Sequence, residues 1–95
     1  MRRTVPVPFP SDPIVVDATV LGAAVRAART GTGMTLEDAA AFLGVAKQTL
    51  GDLERGKASV GLGLALKIAN GIGVALFVVP AAEREQIRRH LTSRR

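Results

Sequence analysis

The sequence predicts a mainly α fold: a compact bundle of four to five short helices containing a helix-turn-helix, one short β-strand near the C-terminus, and a final basic helix. Three observations carry this. Apolar residues recur at helical spacing in four separate stretches. Glycines stand at the ends of those stretches, at Gly31, Gly33, Gly44 and Gly56, where a helix stops easily. A Val/Phe-rich segment, Val74–Val79, closed by Pro80, has the composition of a strand. Ninety-five residues suffice for a single modest core and are too few for a two-lobed catalytic fold.

Residues 1–18 read as an extended arm, because Pro6, Pro8, Pro10 and Pro13 interrupt any helical period; Ile14–Val16 could form a short strand, or the arm could be partly disordered. Asp17 or Thr19 can cap a first helix through Val20, Leu21, Ala24, Val25 and Ala28, and Thr30-Gly31-Thr32-Gly33 ends it. Thr35 caps the second helix, with Asp38 in place of the usual Glu or Gln of a capping box. Leu36, Ala39, Ala40 and Leu43 form its apolar stripe, and Gly44 terminates it. A third helix, from about Ala46 to Glu54, turns Leu50 and Leu53 inward and leaves Lys47, Gln48, Gly51 and Asp52 outward.

A fourth helix runs from about Gly61 to Asn70, with Leu62, Ala65, Leu66 and Ala69 on one face. The strand at 74–79 needs a partner for its edge groups, either the same strand of a second copy or the arm at Ile14–Val16. Residues 81–92 form a charged helix in which Glu85 is spaced to pair with Arg88 or Arg89, and the last four residues fray. The chain thus divides into an arm (1–18), a helical body (19–73), a strand (74–80) and a charged tail (81–95).

Composition narrows the chemistry. The net charge of +5 favours an acidic partner, nucleic acid or an anionic membrane surface. The absence of cysteine excludes disulfides and thiolate metal sites and fits a reducing compartment. Arg2 and Arg3 are followed by prolines rather than by the apolar core of a signal peptide, so a cytoplasmic location is expected. The apolar run Val60–Ala82 is long enough to span a bilayer, but Lys67 near its centre costs about 2.5–3.5 kcal/mol on insertion and four glycines weaken a continuous helix. No catalytic set is expected. His90 is the lone histidine, Glu83 and Glu85 fall on different helix faces, and Gly56-Lys57-Ala58-Ser59 lacks phosphate-loop spacing. No metal or cofactor is expected either.

Residues 20–74 resemble the Cro/repressor-type, or xenobiotic-response-element, helix-turn-helix family. The resemblance rests on Val25-Arg26-Ala-Ala-Arg29, Gly33-Met34-Thr35-Leu36, Ala40, Leu43-Gly44-Val45, Thr49-Leu50, Leu53-Glu54-Arg55-Gly56-Lys57 and Leu66-Lys67-Ile68-Ala69. The segment Gly73–Val79 is similar to the tail of HipB-type antitoxins, where a short strand helps to build the dimer. The resemblance implies that Lys47, Gln48 and Asp52 face base edges and that Thr49, Arg55 and Lys57 meet phosphates; the helix N-termini at Thr35 and Ala46 add backbone donors for phosphate oxygens. It also implies a structural ion pair between Arg29 and Glu54, and dimerisation through Val74, Leu76, Phe77, Val78 and Val79. The side chains suit these roles: lysine donates to guanine O6 and N7, glutamine bonds adenine N6 and N7, and aspartate can accept from cytosine N4.

Three positions depart from the family pattern. Leu36 stands where a phosphate-reaching glutamine is usual, Ala46 where Ser or Thr often caps the third helix, and Gly51 where a base contact could be made. They point to weaker or more dimer-dependent binding. The expected function is a homodimeric repressor on an inverted-repeat operator of double-stranded DNA, with a HipA-like kinase toxin as second partner. The rivals are a protein-interaction module on the same fold that has lost specific DNA binding, and a small membrane protein.

Overall fold

The computed structural model describes residues 4–92. Expectations on Met1–Arg3 and on Ser93–Arg95, including the fraying of the tail, lie outside the described residues. Five α-helices follow in order: α1 Ala18–Gly31, α2 Leu36–Leu43, α3 Lys47–Glu54, α4 Leu62–Ile72 and α5 Arg84–Thr92, the last preceded by a 3-10 turn at Ala81–Glu83. Asp17 is the cap of α1, its Oδ1 accepting from Val20 N at 3.0 Å. Thr35 Oγ1 accepts from Asp38 N at 3.1 Å, and Gly44 closes α2 at φ +71°. The capless start at Ala46 is present too: α3 begins without a side-chain acceptor for its free amides.

Helices α1 to α4 surround one core. Val25, Leu50 and Ile68 are its largest fully enclosed side chains, and burying each stabilises the fold by about 1.5–3 kcal/mol. Around them lie Ala39, Ala40, Ala65 and Ala69. These small residues let the helices approach closely, which is what the α2–turn–α3 unit requires. Gly22 takes this further. A Cβ there would overlap the carbonyl oxygen of Leu53 and stand 2.9 Å from that of Glu54, so α1 touches the backbone of α3.

Two sequence expectations about α4 are corrected. The helix continues to Ile72 before Gly73 turns it at φ +90°, and its buried face is Ala65, Ile68, Ala69 and Ile72. Leu62 and Leu66 are exposed. On a helix apolar all round, periodicity does not select a face; α1 and α2 select it by packing on one side.

The strand is also corrected. Among the described residues no β-ladder forms, either at 74–79 or at Ile14–Val16. Val74 is buried and its amide donates to Ala69 O at 2.8 Å, closing α4. Leu76, Phe77 and Val78 are exposed, Val78 almost completely, and Val79 is half-buried. The reason is that strand hydrogen bonds come from a neighbouring strand. The arm supplies none. It borders the 73–79 segment across an apolar cavity of about 530 Å³ instead of pairing with it. The apolar run from Val60 onward is divided between α4 and this irregular segment, and among the described residues no helix is long and apolar enough to cross a membrane.

The arm is held at two points. Val7 N donates to Thr30 Oγ1 at 3.0 Å, and both oxygens of Asp12 accept from Arg88, Nε and a terminal nitrogen each at 3.0 Å. Arg88 also pairs with Glu85. The Arg88 hydrogen bonds, followed by the Ile14 amide, hold the Asp12 carboxyl below its ordinary value. A carboxylate with a depressed pKa contributes above its unfolded value and loses that contribution as pH falls through the folded one. The Asp12–Arg88 pair therefore keeps its contribution at neutral pH and loses it in acid. Asp12→Asn should release α5 at pH 7, read as faster amide exchange over residues 84–92; unchanged exchange would show that other contacts hold the helix.

Candidate nucleic-acid interface

The α3 surface is built from the core outward. Leu50 and Leu53 are 1% and 2% exposed and pin one side of α3 against α1 and α2. That fixes the opposite side, so Lys47 and Gln48 stand exposed on the first turn and Thr49 is half-buried. Gly51 is not outward, as the sequence suggests, but buried. A Cβ there would meet Leu36 Cδ2 at 3.4 Å and a guanidinium nitrogen of Arg55 at 3.1 Å. Leucine at position 36 thus packs over the glycine.

Asp52 occupies the centre of this surface. Its Oδ1 accepts from Gln48 Nε2 at 3.1 Å and from Arg55 at 2.7 Å, with Lys57 Nζ 3.7 Å away. One carboxylate therefore gathers three of the side chains that the sequence assigns to DNA. Lys47 Nζ lies 3.9 Å from Glu37 on the first turn of α2. These pairs are exposed on at least one side, and such pairs contribute about 0–1 kcal/mol. A phosphate can displace the carboxylate from Arg55 and Lys57 at little cost, while Asp52 keeps the amide of Gln48 oriented.

Behind this surface the Arg29 guanidinium engages Glu54 through two bonds, 2.6 and 2.9 Å, and donates a third to Met34 O at 3.0 Å. The two side chains are 11% and 7% exposed. The pair joins α1 to the last residue of α3, and the third bond ties both to the turn before α2. It holds the end of α3 against α1, with Arg29 bordering a concavity beside Thr35 and Leu36. Among the described residues no cluster of His, Asp or Glu could hold a metal ion.

This arrangement has counterparts. A family model described as helix-turn-helix matches residues 25–79, more than half of the chain. The chain belongs to the helix-turn-helix family. Two solved structures share its fold, one a complex of a serine-to-alanine variant of HipB with an O2 20mer and the other a HipB–O4 20mer complex. Each aligns with a TM-score of 0.64 and 20% identity over 72% of this chain, covering 94% and 96% of theirs respectively. No curated protein sequence matches the chain. The fold is HipB-like, and the family it belongs to is one of DNA-binding regulators. The arm and α5 lie outside the family match.

Sequence reasoning missed two contributors. Gly22 sits inside a helical period, where glycine costs about 0.5–1 kcal/mol relative to alanine, and that anomaly was the readable signal of a close backbone contact. The Asp12–Arg88 pair joins residues 76 positions apart and has no signal in spacing.

Proposed function

We propose that this helix-turn-helix protein is a homodimeric, sequence-specific repressor in which Lys47 and Gln48 read bases while Thr35, Thr49, Arg55 and Lys57 hold phosphates. The observation that carries this reading is the first turn of α3, where Leu50 and Leu53 lock the helix and leave Lys47 and Gln48 exposed beside the exchangeable network on Asp52. Asp52 acts by orienting Gln48 and releasing Arg55 and Lys57, with cytosine N4 as its alternative partner. Dimerisation runs through Val74, Leu76, Phe77, Val78 and Val79, where the exposed apolar side chains of Leu76, Phe77 and Val78 would gain cover against a second copy, with buried Val74 and half-buried Val79 at the two ends. The body at 19–73 would then carry DNA binding, the segment at 74–80 the dimer contact, and the arm at 1–18 and tail at 81–95 would flank them. Two α3 helices would enter successive major grooves about 34 Å apart on an inverted repeat. The fold shared with HipB supports a second role as antitoxin of a HipA-like kinase, with the operon of both under its control.

The test is a titration against the duplex upstream of its own coding sequence, with a scrambled duplex beside it. Specific binding should engage two chains per duplex. Lys47→Ala and Gln48→Ala should each weaken it by about 1–3 kcal/mol, roughly 5- to 150-fold, and shift preference at one base position. Equal, feeble binding to both duplexes would instead favour the interaction-module reading.

A further inference from the structure

The cavity of about 530 Å³ beside the 73–79 segment takes its walls from the arm, α1, that segment and α5, and no residue of α3 lines it. Phe9, Val20, Ala24, Leu76, Phe77 and Leu91 supply its apolar lining. A hollow of this size, with hydrophobic and aromatic walls and a few placed polar groups, is the usual form of a small-molecule site. Phe9 and Phe77 line it and yet stay 50% and 61% exposed, so apolar surface remains there for a ligand to take from water.

Two charged side chains stand in the lining, Asp12 and Arg84, and they are not equivalent. Both oxygens of Asp12 accept from Arg88, so that carboxylate already has its counter-charge. Arg84, among the described residues, makes no ion pair and no side-chain hydrogen bond. Residues four apart share a helix face, so the clasp that holds Arg88 to the arm also holds Arg84 at the cavity. A guanidinium is a planar fork of donors that matches a carboxylate through two parallel bonds. One such cation beside apolar walls selects an anion with a hydrocarbon body. The 74–79 segment of a second copy, Val-Ala-Leu-Phe-Val-Val, carries no acid to meet Arg84.

We infer that this cavity is a binding site for an amphipathic monocarboxylate of the fatty-acid class, its hydrocarbon chain lying against Phe9, Val20 and Phe77 and its carboxylate meeting Arg84. The site is formed within one chain and away from α3, so it stands apart from the DNA-binding reading above.

The experiment titrates octanoate into the full chain by calorimetry and follows backbone amide shifts, with 1-octanol and octylammonium as neutral and cationic probes of the same length. The proteins are wild type, Arg84→Gln, Ala75→Trp and, as control, Arg89→Gln on the same helix. Ala75 lines the cavity and is exposed, so an indole there intrudes on the ligand without entering the core. Thermal unfolding confirms that all are folded. Octanoate should saturate at one per chain, raise the unfolding midpoint and move the amides of Phe9, Ala24, Leu76, Phe77 and Leu91. Arg84→Gln should weaken octanoate by about tenfold and leave octanol unchanged, Ala75→Trp should remove both, and Arg89→Gln should bind as wild type. Binding that does not saturate, that is equal for the three probes, or that survives both cavity variants overturns the inference. So does an equal loss in Arg84→Gln and Arg89→Gln, which would assign the effect to net charge. A wild type in which a second copy covers these amides and no octanoate binds overturns it in favour of the dimer contact.

Discussion

Glu54→Ala is expected to destabilise the protein by about 3–5 kcal/mol, because it leaves the Arg29 guanidinium buried with no counter-charge. Arg29 is 11% exposed on its side chain, so water cannot replace the carboxylate. A small domain has only about 5–15 kcal/mol of net stability, so the variant should be partly unfolded near physiological temperature. Arg29→Ala should cost at least as much, since it strands Glu54 and also removes the donor to Met34 O. The informative companion is Arg29→Met with Glu54→Leu. Replacing both charges by apolar groups of similar size is often neutral or stabilising, so the double variant should recover much of the loss. Denaturant midpoints for the two singles and the double complete the cycle; a single Glu54 variant within about 1 kcal/mol of wild type would show that the pair is worth no more than an exposed one.

Gly22→Ala is expected to be damaging as well, by a smaller amount and for a steric reason. The added methyl would meet the carbonyl oxygens of Leu53 and Glu54, and backbone at the end of α3 has no rotamer by which to yield. Overpacking costs about 1–3 kcal/mol and occasionally more, against a gain of only about 0.5–1 kcal/mol from helix propensity. Each kcal/mol of destabilisation lowers the midpoint of a domain of this size by about 4–8 °C, so thermal unfolding should shift down by roughly 10 °C. The same change at Gly31, which has open space around its Cβ position, should leave the midpoint level or raise it. Equal behaviour of the two alanine variants would dismiss the close α1–α3 contact. Because α1 would be pushed off α3, the first-turn residues Lys47 and Gln48 should also lose their placement relative to the rest of the α3 surface.

Much of this fold is legible along the chain, and the reason differs from element to element. The α2–turn–α3 unit is readable because its demands are local: Thr35 caps, Gly44 turns, and Leu50 and Leu53 recur at one helical spacing. The buried face of α4 is not readable, because leucine and isoleucine surround that helix and only its neighbours choose Ile68 and Ile72 over Leu62 and Leu66. Gly51 illustrates the same limit on the candidate interface. Its position on the helical wheel is outward, yet Leu36 arrives from α2 and Arg55 folds back from the end of α3 to cover it.

The sequence by itself determined the helical class, the helix-turn-helix, and the identity of Lys47 and Gln48 as outward side chains, since these follow from periodicity and capping within about ten residues. Tertiary structure decided the rest. It left residues 74–79 without a ladder, gathered Gln48, Arg55 and Lys57 on Asp52, closed Arg88 over Asp12, and laid the arm beside Arg26. Each of these depends on groups distant in sequence or reoriented by packing. Hydrogen bonds and ion pairs are short-ranged, so which partners meet is settled only when the core has set the helices in place.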